Sequence, residues 1–258
     1  SDHWVVTERE NGLTRIKVKR WDETEDYFIP VSGETYSLSG GINPSFETSN
    51  FRFVYTSLST PTTIFEYEMN SKTKIMLKQR SVPNSNFKSA NYIEKRLWAN
   101  SRDGEKIPIS LVYHKDTELD SNTPLLLYAY GSYGYTIDPY FSSNRLSLLN
   151  RGFIYAIVHV RGGQYLGRAW YENGKLLNKK NTFNDFIDST KFLINSGISN
   201  ADHIHAMGGS AGGLLMGVIL NEAPLLYKSV IASVPFVDVI TTMLDKSIPL
   251  TTGEYDEW

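Results

Sequence analysis

The sequence predicts a β-rich N-terminal part followed by an α/β region built on a largely parallel sheet. Three observations support this fold class. Residues 4–81 contain short β-like runs separated by polar turns rich in Gly, Asn, Ser and Pro. Residues 125–130 and 153–158 are continuous apolar runs, typical of strands buried on both faces of a parallel sheet. Helices and strands then alternate up to residue 234, as they do in βαβ units.

The β-rich part shows alternation without a helical period, which favours antiparallel strands. Its clearest runs are residues 13–18, 51–55 and 63–68. Strand spacing alone leaves a sandwich, a barrel and propeller blades open. Residues 81–86 include Pro83 and several Asn and Ser residues, a composition typical of a linker. We therefore predict a boundary at this linker, between two domains or between one domain and part of another.

Turn and capping signals predict the elements of the α/β part. These are a hairpin of residues 95–99 and 107–113 turned by Asp103-Gly104, the two buried strands, a helix over 182–196, a strand at 204–207, a helix at 214–220 and a strand at 230–234. Thr182, with Asp185 three residues on, predicts a cap at the start of the first helix, and Gly197 ends it. Pro224 follows the end of the second helix.

Composition excludes several classes of function. The formal net charge of −2 removes the electrostatic reason to expect nucleic acid or anionic lipid as a partner. No segment approaches the length of a membrane span. Because the chain has no cysteine, it has no disulfide, no thiolate metal site and no cysteine nucleophile. We expect no metal or organic cofactor, and the sequence leaves the oligomeric state open.

Residues 208–212, Gly-Gly-Ser-Ala-Gly, fit the G-x-S-x-G pattern of a nucleophile elbow. The pattern lies between a predicted strand and a predicted helix, the context in which it marks an acyl-transfer serine. Small residues permit a turn tight enough to project the Ser210 hydroxyl above the sheet. The following helix directs free N–H groups to the same place, so the Ala211 N–H is the expected oxyanion donor. The alternatives are a structural glycine-rich turn and a phosphate loop, although the latter requires a lysine that is missing here.

The histidines do not complete a catalytic triad on Ser210. All five precede it in the sequence: His3, His114, His159, His203 and His205. In this type of site the chain order is Ser, then Asp or Glu, then His, so we expect none of them to be the base. His159 and His205 lie in predicted strands and are expected to be packed, hydrogen-bonded residues. Asp238 is expected to be structural.

The two ends of the chain predict a fragment. Ser1 is not a methionine, and the last residues, 253–258, form an acidic and aromatic stretch typical of an ordered loop. We therefore expect the triad Asp and His to lie beyond Trp258, and we expect the isolated chain to be inactive.

Longer motifs extend the pattern around Ser210. They are MGGSAGGLLMG at 207–217, VPFVDV at 234–239, PLTTGE at 249–254, YAYGSYG at 128–134, HVRGG at 159–163, WYENGK at 170–175 and KKNTF at 179–183. Together they resemble the oligopeptidase B group of the prolyl oligopeptidase family of serine peptidases. The resemblance is dense from about Tyr92 onward and looser before it. It implies that residues 1–85 are the closing blades of a β-propeller and that 86–258 are the N-terminal part of an α/β-hydrolase catalytic domain.

The resemblance also implies an activity and the residues that serve it. The expected enzyme is a cytoplasmic endopeptidase that cleaves oligopeptides after Arg or Lys through an acyl-enzyme on Ser210. Tyr130 would donate its phenolic hydroxyl to the oxyanion hole beside Ala211. Glu254 matches the first of two acids that bind the basic side chain, and Asp256 takes the place of the second, which is usually Glu.

Two further positions are assigned by the same resemblance. Asp138 matches an acidic position that binds the next substrate residue, and Tyr140 replaces the second acid there. Arg161 ends a predicted strand and either lines the cleft or forms a structural salt bridge. Two other functions remain open: an esterase-type hydrolase on the same fold, and a catalytically incomplete fragment that binds basic peptides.

Overall fold

The computed structural model describes residues 2–83, 86–249 and 251–258, without the side chain of residue 252. The predicted linker at 81–86 includes residues 84 and 85, which lie outside the described residues. Leu250 of the PLTTGE motif also lies outside them. No helix within these ranges is long and apolar enough to cross a lipid bilayer.

The described N-terminal part forms antiparallel sheets in chain order. The first contains β1 (His3–Glu10), β2 (Leu13–Arg20) and β3 (Asp26–Phe28), and the second contains β4 (Tyr36–Gly40), β5 (Asn50–Ser57), β6 (Thr63–Glu68) and β7 (Thr73–Gln79). Burial alternates along β2, where Ile16 and Val18 are buried between partly exposed neighbours. These residues pack with Leu38, Phe53 and Tyr67 in one core. The predicted antiparallel arrangement is confirmed.

The second part contains a mixed sheet with the strand order β13-β12-β10-β11-β9-β8. Its strands are β8 (Tyr92–Asn100), β9 (Lys106–His114), β10 (Leu125–Tyr128), β11 (Ile154–Val158), β12 (Ile204–Gly209) and β13 (Ser229–Ser233). Strands β10 to β13 pair in parallel, whereas β8 with β9 and β9 with β11 pair antiparallel. The mostly parallel sheet predicted for this region is confirmed. The carboxyl ends of β10 and β12 meet at one edge, where a site is expected.

Helices cover the sheet on both faces. They are α1 (Leu146–Leu149), α2 (Arg168–Glu172), α3 (Lys180–Asn195), α4 (Ala211–Glu222), α5 (Val239–Leu244) and α6 (Thr251–Glu254), with 3₁₀ turns at Ser89–Asn91, Ser143–Arg145, Leu176–Asn178 and Pro224–Leu226. Phe186 of α3 and Leu215 of α4 pack into the main core with Leu127 of β10. Leu149 of α1 packs with Tyr155 on the opposite face. The turn after β12 is therefore held between a covered sheet and α4.

The predicted cap at Thr182 is wrong. Helix α3 begins at Lys180, so Thr182 lies in its first turn and not before it. The Thr182 hydroxyl is buried and donates to the carbonyl oxygen of Arg161 at 2.8 Å. Asp185 is also buried and bonds the Arg161 side chain. A buried hydroxyl needs a partner wherever the fold provides one, and here the partner comes from a distant loop.

Candidate active site

Ser210 lies on the turn between β12 and α4. Its backbone angles are φ 55° and ψ −117°, a conformation that residues other than glycine rarely adopt. The Ser210 N–H donates to the carbonyl oxygen of Ser233, and the Ser210 carbonyl oxygen accepts from the N–H of Phe236, each at 3.0 Å. The side chain is exposed. The turn therefore has the strained, outward-facing geometry of a nucleophile elbow.

Glycines on both sides of Ser210 permit this turn. A Cβ on Gly208 would collide with the carbonyl oxygen of Gly212, and a Cβ on Gly212 would lie 2.7 Å from the carbonyl oxygen of Ala129. Backbone atoms leave no room for a methyl group at either position. The G-x-S-x-G spacing is thus required by the close approach of α4 to β12 and β10.

Tyr130 follows β10 and faces Ser210. It lies beside the elbow, where a Cβ on Gly212 would be 3.3 Å from the Tyr130 Cα. Burial raises the pKa of Tyr130, while the nearby Ser210 side chain offsets part of that rise, so the phenol keeps its proton at neutral pH. Ala211 is the first residue of α4, and the first N–H groups of a helix have no intrahelical acceptor. The two predicted oxyanion donors thus flank the serine in the fold.

Glu254 is held by an aromatic pair that sequence reasoning did not identify. The Tyr133 hydroxyl donates to the Glu254 carboxylate, and the Trp258 indole N–H donates to the Tyr133 oxygen at 3.2 Å. Tyr133 has a positive φ of 61°, so the loop after Tyr130 turns sharply to reach this position. Asp256 is exposed, whereas Glu254 is half-buried. The two predicted acids therefore differ in how firmly the fold holds them.

Glu257 is a second residue that sequence reasoning missed. It is only 5% exposed. One carboxylate oxygen accepts the Tyr133 N–H at 2.6 Å, and the other accepts the Tyr171 hydroxyl at 2.6 Å. Its neighbours in the sequence are acidic and aromatic too, so only the long-range partners distinguish it.

Lys179 faces the same loop from the other side. Its ammonium donates to the Gly131 carbonyl oxygen and to the Ser132 hydroxyl, each at 2.6 Å. Burial lowers the pKa of Lys179 to about 8, and the nearby Glu257 carboxylate opposes part of that shift. A buried ammonium group with so low a pKa is unfavourable in its charged form.

We expect the free energy of unfolding to rise with pH because of Lys179. Between pH 7 and 9 the folded chain releases the Lys179 proton, whereas the unfolded chain keeps it up to about pH 10. The wild type should therefore gain about 1 kcal/mol over this range relative to Lys179→Met, since one pKa unit corresponds to about that energy. Urea unfolding of both proteins at pH 7, 8 and 9 measures the difference. Parallel pH profiles would contradict the assignment.

Asp138 and Arg161 lie in ion pairs. The Asp138 carboxylate accepts two hydrogen bonds from the guanidinium of Arg9 in strand β1, at 2.7 and 2.9 Å. Arg161 is 3% exposed, and its guanidinium binds Asp185 and Asp103, each at 2.6 Å. For Arg161 this favours the structural salt bridge over a contact with substrate. For Asp138 it means that a substrate group would meet a carboxylate that is already paired.

The two histidines in predicted strands, His159 and His205, bond serines other than Ser210. His159 stacks on Tyr165 with ring centroids 3.6 Å apart, and its Nε2 lies 2.8 Å from the Ser110 hydroxyl. Burial lowers the pKa of His159 well below its usual value, which keeps it neutral. The His205 Nδ1 lies 2.7 Å from the Ser229 hydroxyl, on a partly exposed ring. These contacts fit packed, hydrogen-bonded histidines rather than a catalytic base.

Asp238 lies at the start of α5. The Asp238 carboxylate accepts the N–H of Thr241 at 3.2 Å and caps α5, as the sequence predicted for a structural residue. Among the residues that the structure describes, no three His, Asp or Glu side chains are grouped so that they could hold a metal ion.

Comparison with known proteins identifies the class to which this fold and site belong. The model of the prolyl oligopeptidase family matches residues 139–258, and the model of the prolyl oligopeptidase N-terminal β-propeller domain matches residues 1–80. The chain belongs to the prolyl oligopeptidase family, a family of serine peptidases. The predicted fold, propeller blades followed by an α/β-hydrolase region, is thereby confirmed.

Individual relatives place the chain close to oligopeptidase B. It is 51% identical to dipeptidyl aminopeptidase BI of Pseudoxanthomonas mexicana and 42% identical to Protease 2 of Moraxella lacunata, covering 98% and 100% of this chain. The structure of oligopeptidase B from Leishmania major matches all of it with 43% identity and a TM-score of 0.91. The chain spans only about a third of these relatives, namely 35%, 37% and 37% of their lengths.

Proposed function

We propose that the chain supplies the nucleophile, the oxyanion donors and the basic-residue pocket of an oligopeptidase B-like serine endopeptidase. The observation that carries the proposal is the exposed Ser210 on a strained elbow beside Tyr130. The Ser210 oxygen attacks the peptide carbonyl carbon while its proton passes to a base. The oxyanion accepts hydrogen bonds from Tyr130 and the Ala211 N–H. The amine leaves with the proton, and water hydrolyses the acyl-enzyme ester.

The base and its acidic partner, in this proposal, come from outside the 258 residues. The contacts of His159 and His205 support this, because both rings are engaged with serines other than Ser210. The chain alone should then bind basic peptides with little turnover, as incomplete triads leave binding and oxyanion stabilisation partly intact.

Specificity for Arg or Lys would come from the carboxylates of Glu254 and Asp256. Two carboxylates on one guanidinium give short, charge-assisted hydrogen bonds. An esterase pocket has no need of paired negative charge, so these acids favour the peptidase over the esterase alternative. The next subsite should prefer basic residues less strongly, because Arg9 already pairs with Asp138.

The test is hydrolysis of matched peptides by a complete enzyme. The chain replaces the matching third of Moraxella lacunata Protease 2, and this grafted enzyme is assayed with peptides that present Arg, Lys or the neutral isostere citrulline at the cleavage point. We expect cleavage after Arg and Lys, with citrulline slower by about 100-fold, the effect of losing a charged hydrogen bond. Equal rates for Arg and citrulline would overturn the proposed specificity. Serine-dependent turnover by the 258-residue chain alone would overturn the external base.

Replacing Glu254 by Gln in the grafted enzyme should raise KM for the arginyl peptide by about 10-fold to 100-fold and leave the citrullinyl peptide nearly unchanged. Glu254 is half-buried and anchored by Tyr133, so it is the better-positioned acid. Asp256→Asn is the matched comparison and should have the smaller effect, since Asp256 is exposed. A larger effect of Asp256→Asn would reverse the two roles.

A second candidate is removal of dipeptides from free N-termini. It is favoured by the 51% identity with an enzyme named dipeptidyl aminopeptidase BI. An aminopeptidase cleaves an arginyl peptide with a free N-terminus and spares its acetylated form, whereas an endopeptidase cleaves both. The chain should be grafted into Protease 2 and also into the dipeptidyl aminopeptidase. If both grafted enzymes show the same preference between free and acetylated N-termini, this chain determines that preference.

A further inference from the structure

We propose that Glu257 is a positioning residue that fastens the acidic segment, residues 251–258, to the donor loop, residues 130–134. In this role it holds the basic-residue pocket and the Tyr130 oxyanion donor as one unit. The inference rests on the proposed function, since it assigns a role within the same site.

The contacts of Glu257 leave it no part in binding substrate directly. Both carboxylate oxygens already accept hydrogen bonds, from the Tyr133 N–H and the Tyr171 hydroxyl, each at 2.6 Å. The residue is 5% exposed, and glutamate is rarely buried without such partners. A buried carboxylate bonded to a main-chain N–H fixes backbone position, because the main chain cannot rotate away from it as a side chain can.

A positive charge holds the same loop on its other side. The Lys179 ammonium bonds the Gly131 carbonyl oxygen and the Ser132 hydroxyl, and it lies 5.1 Å from the centre of the Trp258 ring. The donor loop is thus held between a carboxylate from the acidic segment and an ammonium from the start of α3. An amide in place of the carboxylate has only one acceptor oxygen for the two donors, the Tyr133 N–H and the Tyr171 hydroxyl.

A chain of contacts connects Glu257 with the nucleophile. Tyr133 donates its N–H to Glu257 and its hydroxyl to Glu254, so a shift of Tyr133 changes its contacts with both acids. The Trp258 ring packs edge-on against Phe236, with centroids 5.2 Å apart, and the Phe236 N–H bonds the Ser210 carbonyl oxygen. If Glu257 releases Tyr133, the Glu254 carboxylate and the loop that carries Tyr130 both lose a contact that holds them.

The experiment uses the 258-residue chain with Glu257→Gln. The matched control is Glu118→Gln, at an exposed glutamate that is remote from Glu257 in the sequence. Hydrogen exchange is measured for peptides covering residues 130–135 and 251–258. We expect exchange in both peptides to be at least about tenfold faster in Glu257→Gln, with the rest of the chain unchanged. Wild-type exchange in both peptides would overturn the proposal.

Binding of a fluorescein-labelled tripeptide ending in arginine amide, and of its citrulline counterpart, is measured in parallel. Glu257→Gln should weaken binding of the arginyl peptide about tenfold and leave the citrullinyl peptide unchanged. If the wild type shows no preference for the arginyl peptide, the proposed specificity fails, while the exchange data still decide the role of Glu257. If Glu257→Gln does not fold, Tyr171→Phe removes only one donor, and the same exchange criterion applies to it.

Discussion

Ser210→Ala in the grafted enzyme is expected to lower kcat for arginyl peptides by at least about 10⁴-fold, the loss seen when a triad nucleophile is removed. The alanine has no oxygen to attack the carbonyl carbon, and the strained elbow places no other hydroxyl at the same point. Tyr130 loses the neighbouring Ser210 hydroxyl but remains in place, because its loop is held by Lys179 and Glu257.

Steady-state kinetics and labelling with a fluorophosphonate measure this effect. Ser233→Ala is the matched control, because Ser233 bonds the Ser210 N–H through its main-chain carbonyl oxygen and not through its hydroxyl. The control should keep activity within a few-fold. A Ser210→Ala enzyme within tenfold of the wild-type rate would show that another group is the nucleophile. Binding of the arginyl peptide should survive Ser210→Ala, since the acids proposed to bind the guanidinium lie elsewhere.

Asp185→Ala is expected to lower the free energy of unfolding by about 3 to 5 kcal/mol, the cost of breaking a buried ion pair. Asp185 accepts three hydrogen bonds from Arg161, from its N–H at 3.0 Å, its Nε at 2.9 Å and a terminal nitrogen at 2.6 Å. The side chains are 0% and 4% exposed, so water cannot replace the lost partner. Arg161 would keep the Asp103 carboxylate and the Ser101 hydroxyl but lose its buried carboxylate partner.

Urea unfolding of Asp185→Ala and Asp188→Ala separates burial from charge. Asp188 lies one turn further along α3 and pairs with Arg102; the two side chains are 10% and 49% exposed. A pair whose cation is open to solvent should contribute less than the fully buried pair. Equal losses in the two variants would contradict the importance assigned to burial. The result also bears on the site. The Arg161 carbonyl oxygen accepts a hydrogen bond from Thr182, and the next residue, Gly162, accepts one from the N–H of Gly134 in the donor loop.

Local signals in the sequence predicted the elbow and its surroundings. The glycines around Ser210 mark a turn with no space for side chains, and the structure shows backbone atoms at those places. Apolar runs predicted β10 and β11, although β10 ends at Tyr128 and not at Tyr130. Tyr130 thereby leaves the sheet and reaches Ser210. Such patterns depend on residues close together in the chain, which is why they can be interpreted without a structure.

Local patterns could not predict contacts between residues that are far apart in the chain. Arg9 and Asp138 are 129 residues apart, and Tyr133 and Glu257 are 124 residues apart. A sequence shows that a carboxylate is present, but its role depends on the donors that the fold brings to it. The same reason explains why Thr182 bonds a loop and does not cap a helix.

The sequence by itself determined the class of fold and the glycine-bounded elbow that carries Ser210, because period, glycine spacing and apolar runs are local properties. Only the tertiary structure decided which charged residues face the site and which are buried in ion pairs. A buried charge must find a partner, and the identity of that partner is set by packing between elements that are remote in sequence.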